Sequence, residues 1–409
     1  MWRLIAARHT SQDRGATTVV VVILLSVFLL GLGAIAVDAG SWYAEKAQVQ
    51  NGADAGALAV AQSCAEGRCD ISLAGPQASA NSNGANDTSA KVVKVCGNSP
   101  GADSPLSPCA FDSVETVVCP ALSNDDGAYV YVHTVTLNTK TGTTLVPPLM
   151  GKLLLKGSYD GKSVHACARV AWSPAAGGQG LALTFSFCNW DAATNPDFPT
   201  EIPDDQRVFA PAPPYSNWPP AGVAPYTATV PAPGAPGGEQ VLQLHGSGND
   251  CVGGPGGSGW QLPGGFGWLD DPNGDCTAYV DDNNIYDDRT GVPVKEECVN
   301  ALEQSYRNHT RIYIPVYDGF AGTVDKKTGG SNGSYHLAGF AAFVVTGGHL
   351  NGQHSGFDET SNIPGGRDSG KYCKGTQRCI YGFFTQGLVP SGTFDQDALP
   401  GVTTVYMTG

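Results

Sequence analysis

Charged residues are scarce in this 409-residue chain, and basic residues are the scarcer kind. Asp, Glu, Lys and Arg together make up 15% of the sequence, against about a quarter in a typical soluble protein. Lys and Arg number 23 and Asp and Glu 37, which gives a formal net charge of −14. Because nucleic acids bind to basic surfaces, this balance argues against a nucleic-acid partner, and it also disfavours peripheral binding to an anionic lipid surface.

The sequence also lacks the short motifs of common catalytic sites. It contains no HExxH zinc motif, no GxSxG elbow around a nucleophilic serine, no phosphate-binding loop with its lysine and no CxxC pair. His349 and His354 are five residues apart, but no third metal ligand is evident near them. His133 lies within an alternating strand pattern, which indicates a histidine of the sheet and not a ligand. We therefore expect neither catalysis nor a cofactor.

What the chain does contain is a long apolar segment near its N-terminus. Residues 17–37 are 21 consecutive uncharged residues, which as a helix extend about 31 Å, the thickness of the hydrocarbon core of a bilayer. Arg3, Arg8 and Arg14 precede this segment, and Asp38 follows it. Since basic flanks stay in the cytoplasm, we predict a single-pass cell-membrane protein with residues 1–16 as a cytoplasmic tail and the bulk of the chain outside. The alternative is a cleaved secretory signal.

The helical pattern continues without a break beyond the apolar segment, to about Gln62. Small side chains dominate this continuation, and small side chains let a helix approach its neighbours closely. Two interpretations stay open: the small residues pack against helices of other proteins, or they cover the sheet of the chain's own outer domain. The small residues are Gly52, Ala53, Ala55, Gly56, Ala57, Ala59 and Ala61.

Residues 14–62 resemble the N-terminal region of TadG-like proteins of the tight-adherence (Flp) pilus-assembly system. The resemblance implies a pilin-like helix in a membrane-bound protein of pilus assembly. True pilins carry a glutamate at the fifth position after a cleavage point such as Gly15, where this chain has Val20. We therefore expect an accessory or minor subunit and not a bulk fibre subunit. The residues that carry the resemblance are Arg14, Gly15, Val37, Asp38, Gly40, Tyr43, Gln50, Asn51, Ala53, Asp54, Ala55, Ala57, Leu58 and Ala59.

Later segments resemble the same family more loosely. An apolar stretch around Gly151, predicted as a short helix, and the strand after it are similar to the region after the pilin-like helix in TadE and TadG proteins. Some TadG-like proteins carry a von Willebrand type A domain with a DxSxS metal motif, and this motif is absent from the sequence. The segments that resemble the C-terminal region of actinobacterial TadG-like proteins are GGFGWLDDPNGDC, IPVYD, YHLAGFAAFVVTGG and CKGTQRCIYGFFTQGLVP.

Composition and patterning predict an α+β fold. We expect a long N-terminal transmembrane pilin-like helix followed by a disulfide-rich, mainly β ectodomain, and the 54 Gly and 28 Pro residues predict long loops. The ectodomain divides into a pilin-like α+β domain at residues 38–175, a Pro-rich linker or surface loop at 190–240, and a β-rich C-terminal domain at 241–409. Strands are predicted at 91–96, 114–119, 128–137, 163–172, 239–245, 311–318, 335–346, 379–386 and 402–407.

Twelve cysteines in an exported chain most simply form six disulfides, because oxidising compartments permit such bridges and the even count leaves none over. The sequence does not define the connectivity. Two pairs are candidates for local loops, Cys64 with Cys69 and Cys373 with Cys379. Closing loops this short adds about 2–3 kcal/mol each, so we expect these bridges mainly to fix loop shape.

Calcium is the metal that the sequence favours. Asp271, Asn273 and Asp275 alternate in a DPNGD segment, and this spacing places oxygen atoms around a hard cation. The segment departs from an EF-hand loop, because Cys276 stands where the loop requires Gly and Asp282 where it requires Glu. The competing interpretation is an acidic surface loop without a metal.

The sequence supports two functional hypotheses. The first is a membrane-anchored accessory protein of pilus assembly or surface attachment, which acts by protein–protein interaction and has the membrane and other pilus-assembly or pilin-like proteins as partners. The second is a membrane-anchored extracellular hydrolase or carbohydrate-binding protein that uses the segment from Trp260 to Asp288. A cleft that joins Trp268 with Asp270, Asp281 or Asp288 would favour the second hypothesis.

Overall fold

The fold is that of a computed structural model of the whole chain. The ranges that the structure describes are residues 13–81, 88–99, 104–113, 119, 127–150, 160–175, 177–210, 234–243, 266–269, 271, 273–280, 285–286, 296–320, 323–324, 335–350, 378–389 and 398–408. Among the predicted elements, most of strand 114–119 and the helix around Gly151 lie outside these ranges.

The first helix, α1 (Asp13–Ala65), is 53 residues long and includes both the apolar segment and its small-residue continuation. It ends where Gly67 adopts φ +78°, a left-handed conformation that glycine adopts without strain, and the amide of Gly67 donates to the carbonyl of Cys64. Three shorter helices come later in the described ranges: α2 (Ala74–Asn81), α3 (Phe187–Thr194) and α4 (Glu296–Asn308).

Apart from two 3-10 helices, Ile71–Leu73 and Asp204–Gln206, the remaining regular structure of the described ranges is strand, so the prediction of a long helix followed by a mainly β ectodomain is confirmed. The strands of the described ranges, in chain order, are β1 (Thr88–Asn98), β2 (Ala128–Asn138), β3 (His165–Pro174), β4 (Gly178–Leu181), β5 (Leu183–Ser186), β6 (Gln240–Gln243), β7 (Phe266–Trp268), β8 (Thr277–Val280), β9 (Ile285–Tyr286), β10 (Arg311–Phe320), β11 (Thr323–Val324), β12 (Tyr335–His349), β13 (Cys379–Thr385), β14 (Gly387–Val389) and β15 (Val402–Met407).

The first sheet has the strand order β1-β2-β3-β15-β14, with only the β14–β15 pair parallel. One face of this sheet packs against the outer half of α1. The helix contributes Val49, Ala53, Ala57 and Val60 to that contact, all fully buried, and the sheet contributes residues such as Val132. The small-residue half of α1 therefore covers the chain's own sheet, and does not leave these residues free for helices of other proteins.

The second sheet has the order β6-β13-β12-β10-β5-β7, with β11 and β9 pairing β10 and β12. Its core is aromatic: the ring centroid of Phe343 lies 5.0 Å from those of both Phe185 and Phe384, in edge-to-face geometry. Trp190 from α3 and Leu302 from α4 are buried in the same core. Strands β4 and β8 form a separate two-stranded ribbon.

Two long-range contacts join segments that the sequence analysis assigned to different domains. Strand β15, predicted in the C-terminal domain, pairs with β3 and completes the first sheet. The N-terminal part of the predicted linker, residues 190–210, packs into the second core, where Arg207 forms an ion pair of 2.6 Å with the buried Asp191 and stacks on Trp190. Local sequence patterns do not report such long-range pairing, whereas the prolines that predicted the linker lie mostly at 211–233, outside the described ranges.

Disulfides fix the segments beside both sheets. Cys64 is bonded to Cys69 directly after α1, and Cys276 to Cys298 at the start of α4. Two more bonds, Cys96 to Cys109 and Cys119 to Cys167, hold the chain between β1 and β2 against the face of the first sheet that α1 does not cover. Cys188 and Cys379 are disulfide-bonded as well.

Candidate functional site at the junction of helix and sheet

The apolar half of α1 extends away from the rest of the protein. Its large side chains are exposed along its whole length, with Leu30 exposed to 71% and Val37, the last of them, to 47%. A continuous row of this kind is unstable in water and stable in the hydrocarbon core of a membrane. By length and composition the helix is able to cross a bilayer, which a signal sequence near an N-terminus also satisfies.

Asp38 marks the point where this exposed row ends and the folded domain begins. Its side chain is buried, and Oδ1 accepts hydrogen bonds from the backbone amides of Leu149 (2.8 Å) and Met150 (2.9 Å). The carboxylate thus holds the loop that contains these residues against the helix at the end of the apolar segment. Leu149 and Met150 themselves present exposed apolar side chains at this level.

Two turns further along, α1 supplies hydrogen bonds to the open edge of β3. The carbonyls of His165, Cys167 and Arg169 point away from β2, and β15 with the residue after it reaches only Arg169. Lys46 Nζ donates to the His165 carbonyl at 2.6 Å, and Gln50 Nε2 donates to the Cys167 carbonyl at 2.9 Å. These two side chains therefore continue the hydrogen-bonding of the strand where strand pairing stops.

A further contact on the neighbouring side of α1 completes the attachment. The buried Glu45 accepts a hydrogen bond of 2.9 Å from the Thr88 hydroxyl at the start of β1. A carboxylate in so dry an environment is costly without such a partner. Asp38, Glu45, Lys46 and Gln50 together attach the helix to the loop, β1 and β3, and we call these four residues the junction set.

Beside the junction set lies a cavity of about 420 Å³, open to solvent, which we call the junction cavity. Burial lowers the pKa of Lys46, and burial together with the charges of His133 and Lys46 lowers the pKa of His165. The two lysines of the lining form a cationic wall. The surroundings of Lys46 and His165 disfavour the protonated forms of these two side chains. The lining residues of the cavity are Ala39, Trp42, Tyr43 and Lys46 of α1, then Lys162, Ser163 and Val164 just before β3, and His165, the first residue of β3.

His133 lies in the interior of β2, on the face of the first sheet that α1 does not cover. Its Nε2 is 3.2 Å from Nδ1 of His165. On the same face, burial raises the pKa of Tyr131 to about 12, and the guanidinium of Arg169 lies over the rings of Tyr129 and Tyr131. This face is a packed layer under the two disulfide-held segments.

A second cavity, of about 620 Å³, lies at the far end of α1, between the first sheet and the buried segment around Arg207. Trp172 and Phe209 contribute aromatic walls, and Asp204 and Asp205 stand at its edge. Arg311 ties the two units together nearby, with Nη2 2.8 Å from Glu66 Oε1. The cavity is thus part of the contact between the two sheets.

The calcium candidates form a turn between β7 and β8. Asp271 is buried, and its carboxylate accepts hydrogen bonds from the amides of Gly274, Asp275 and Cys276 at 2.8, 3.2 and 2.8 Å. Asp275 is exposed and accepts from the amide of Thr277 at 3.0 Å, and Asn273 is exposed. Within the described ranges no group of three His, Cys, Asp or Glu side chains is placed to hold a metal ion.

The structure describes only some of the other candidate residues from the sequence. Trp268 is buried in the second core, with 4% of its surface exposed. The candidates that lie outside the described ranges are Trp260, Asp270, Asp281, Asp288, His354 and Cys373, and the side chain of His349 is likewise not described.

A similarity to known proteins falls on the helix that carries the junction set. Residues 15–63 match the family model described as putative Flp pilus-assembly TadE/G-like. The match covers 49 of the 409 residues, so it concerns α1 and not the two sheets. No curated protein and no solved structure matches the chain. The TadE/G-like match supports a pilus-assembly-related membrane protein, and the actinobacterial type and the absence of a von Willebrand domain stay predictions from the sequence.

Sequence reasoning singled out Asp38 and Gln50 as family features but missed Glu45, Lys46, Lys162 and His165. A signal for Lys46 exists, since Ala39, Trp42, Tyr43 and Lys46 follow a three-four spacing and share one face of a helix. No local signal joins Lys46 to Lys162, because β3 alone brings them together.

Proposed function

We propose that the protein is a single-pass, membrane-anchored accessory component of pilus assembly or surface attachment, which acts by protein–protein interaction and not by catalysis. The observation that carries the proposal is the continuity of α1. One helix provides both the exposed apolar segment and, through the junction set, the attachment of the ectodomain. The TadE/G-like match on residues 15–63 supports the same assignment.

The orientation follows from charge and from the disulfides. Arg3, Arg8 and Arg14 on the N-terminal side of the span favour a cytoplasmic N-terminus. The ectodomain contains four disulfides between described cysteines, and such bonds form in oxidising compartments outside the cytoplasm. Both arguments favour an extracytoplasmic position for the bulk of the chain.

The packing of α1 narrows where a partner helix would bind. Most small residues of the outer half of α1, such as Ala53, Ala57 and Ala61, are already buried against the first sheet, so this face of the helix is not presented to another protein. In the exposed half, a side chain added at Gly31, Gly33 or Gly40 would meet no other atom within 4 Å. We therefore assign helix contacts with pilus-assembly proteins to the exposed half of α1.

Site-specific photo-crosslinking in cells tests this assignment. A photoreactive phenylalanine analogue at Leu30, exposed in the span, should crosslink to a pilus-assembly protein identified by mass spectrometry. The matched control places the same group at Tyr279, which is 67% exposed in the ectodomain ribbon and has a similar size. Deletion of the protein should also reduce piliation. Crosslinks to lipid alone from position 30, together with normal piliation in the deletion strain, would contradict the proposal.

The hydrolase or carbohydrate-binding hypothesis gains no support from the described residues. Trp268 is buried, so it offers no surface on which a sugar stacks.

A further inference from the structure

The junction cavity occupies the level at which the apolar segment of α1 emerges from a bilayer. Its helical lining begins two residues after Val37 and ends at Lys46, about 14 Å beyond the apolar segment at 1.5 Å per residue. The headgroup layer covers roughly the first 5–8 Å beyond the hydrocarbon core. Helical side chains lean toward the N-terminus, so the side chain of Lys46 points back toward the membrane.

The chemistry of the cavity is that of an anion site with an aromatic border. Lys46 and Lys162 supply two ammonium groups, His165 an imidazole and Ser163 a hydroxyl, and the lining includes no carboxylate. Lys46 spends one N–H on the His165 carbonyl, and its ammonium has two more donors. The two nearest acids of the helix are turned inward, Asp38 to backbone amides and Glu45 to Thr88.

The surroundings of the cavity are those of a membrane interface. Tyr43 is 79% exposed beside Trp42, and these two residue types concentrate at the headgroup level of membrane proteins. Lys162 is linked to the loop of Leu149 and Met150 through a backbone pair with Val146. Lys162 is therefore paired with the segment that leads to Leu149 and Met150, and Asp38 holds this segment against the helix.

We propose that the junction cavity binds the phosphate headgroup of a phospholipid from the leaflet in which the span ends. Lys46 and Lys162 contact the phosphate, Trp42 and Tyr43 border it, and Leu149 and Met150 lie against the upper acyl chains. The net charge of −14 disfavours an anionic surface only as an average, because the charge of this one wall is positive. The proposal rests on the membrane anchoring proposed above.

Lipid retention by the full-length protein tests the site. Protein purified in mild detergent is mixed with phosphatidylglycerol, and the bound lipid is counted by native mass spectrometry. We expect one retained phosphatidylglycerol molecule, and an apparent affinity at least tenfold lower for Lys162→Gln and lower again for Lys46→Gln with Lys162→Gln. The matched control is Arg307→Gln, which removes an exposed positive charge on α4 and should leave retention unchanged.

A conservative variant and a soluble competitor separate headgroup binding from misfolding and from binding of free phosphate. Lys46→Arg keeps the positive charge and the donor to the His165 carbonyl, so this variant should still retain the lipid. That result would show that the double variant loses the lipid through lost charge and not through misfolding. Inorganic phosphate should compete only weakly, because it lacks acyl chains. Equal lipid retention in wild type and Lys162→Gln would overturn the proposal. Displacement of the bound lipid by inorganic phosphate alone would overturn it as well.

Alkaline carbonate extraction distinguishes failure of this site from failure of the anchor. Protein that stays in the membrane while every variant retains lipid equally would overturn the headgroup site and leave the anchor standing. Protein released by carbonate would overturn the anchor itself.

Discussion

The two sheets of this protein are built from different side chains, and the difference follows from what each sheet packs against. The first sheet is covered by a helix through small residues such as Ala53 and Ala57. The second sheet is filled by rings such as Phe185, Phe343 and Phe384. Small side chains bring the backbone of α1 close to the first sheet, so that side chains of the junction set reach strand carbonyls directly. Large rings fill the core of the second sheet, to which Val389 and Val402 of the first sheet also contribute. Arg311 connects this sheet to Glu66, directly after α1.

The largest effect should come from the aromatic core. Phe343→Ala removes a fully buried ring, which costs about 3–5 kcal/mol in the free energy of unfolding. Urea denaturation of the full chain in detergent, with disulfides intact, measures this loss. If the two sheets are separate units, hydrogen exchange should speed up in β10 and β12 and stay slow in residues 49–65 of α1. Equal acceleration in both would show that the two cores unfold as one.

A larger side chain in the small-residue contact between α1 and the first sheet should lower the free energy of unfolding. Ala57→Leu adds volume to a fully buried site between α1 and the first sheet, and overpacking of this kind costs about 1–3 kcal/mol. The neighbouring Leu58 is exposed, so Leu58→Ala serves as the control and should change the free energy of unfolding by less than about 0.5 kcal/mol. Stabilisation by Ala57→Leu would mean that the helix stands away from the sheet.

The Asp271 turn belongs to the second unit and should depend on its hydrogen bonds and not on a cation. Asp271→Ala removes the acceptor of three backbone amides and should cost about 1–2 kcal/mol, whereas Asp275→Ala at an exposed position should cost less than about 0.5 kcal/mol. A calcium site would behave differently: chelation would then lower the melting temperature of the wild type, and Asp275→Ala would abolish that sensitivity.

The smallest effect should be a pH dependence of the first unit. The pKa of His165 lies below the ordinary value of about 6.5, so the unfolded chain binds its proton at a higher pH than the folded chain does. The stability contribution is therefore complete above about pH 6.5 and decreases as the pH falls toward the lowered pKa. Thermal unfolding between pH 8 and pH 5 measures this decrease.

Groups around His165 and a second histidine also affect this pH dependence, and they supply its controls. His133 and Lys46 face His165 and oppose its protonation, while Asp112 favours it. Burial also lowers the pKa of His309, in the second unit, so part of the decrease belongs there. His165→Asn should remove one part of the pH dependence and leave the other. A pH profile that this substitution does not change would contradict the assignment.

Local patterns predicted much of the fold because they report local forces. The alternation at 128–137 predicted β2 to within a residue, and the uncharged run with its helical continuation predicted α1 to within three residues of its end. The partner of the small-residue face was not predictable, since small side chains suit a neighbouring helix and a sheet equally. The pairing of β15 with β3 joins residues more than two hundred positions apart, and no periodicity encodes such a distance.

The same limit applies to the junction. The sequence by itself determined that a segment of 21 uncharged residues requires an apolar environment, that the helix continues past it, and that this helix resembles TadG-like proteins, because hydrophobicity and helical spacing are properties of neighbouring residues. Only the tertiary structure decided that Asp38 holds the loop of Leu149 and that Lys46 stands beside Lys162. Those contacts depend on the register of β3 against its neighbours, which backbone hydrogen bonds between distant segments establish.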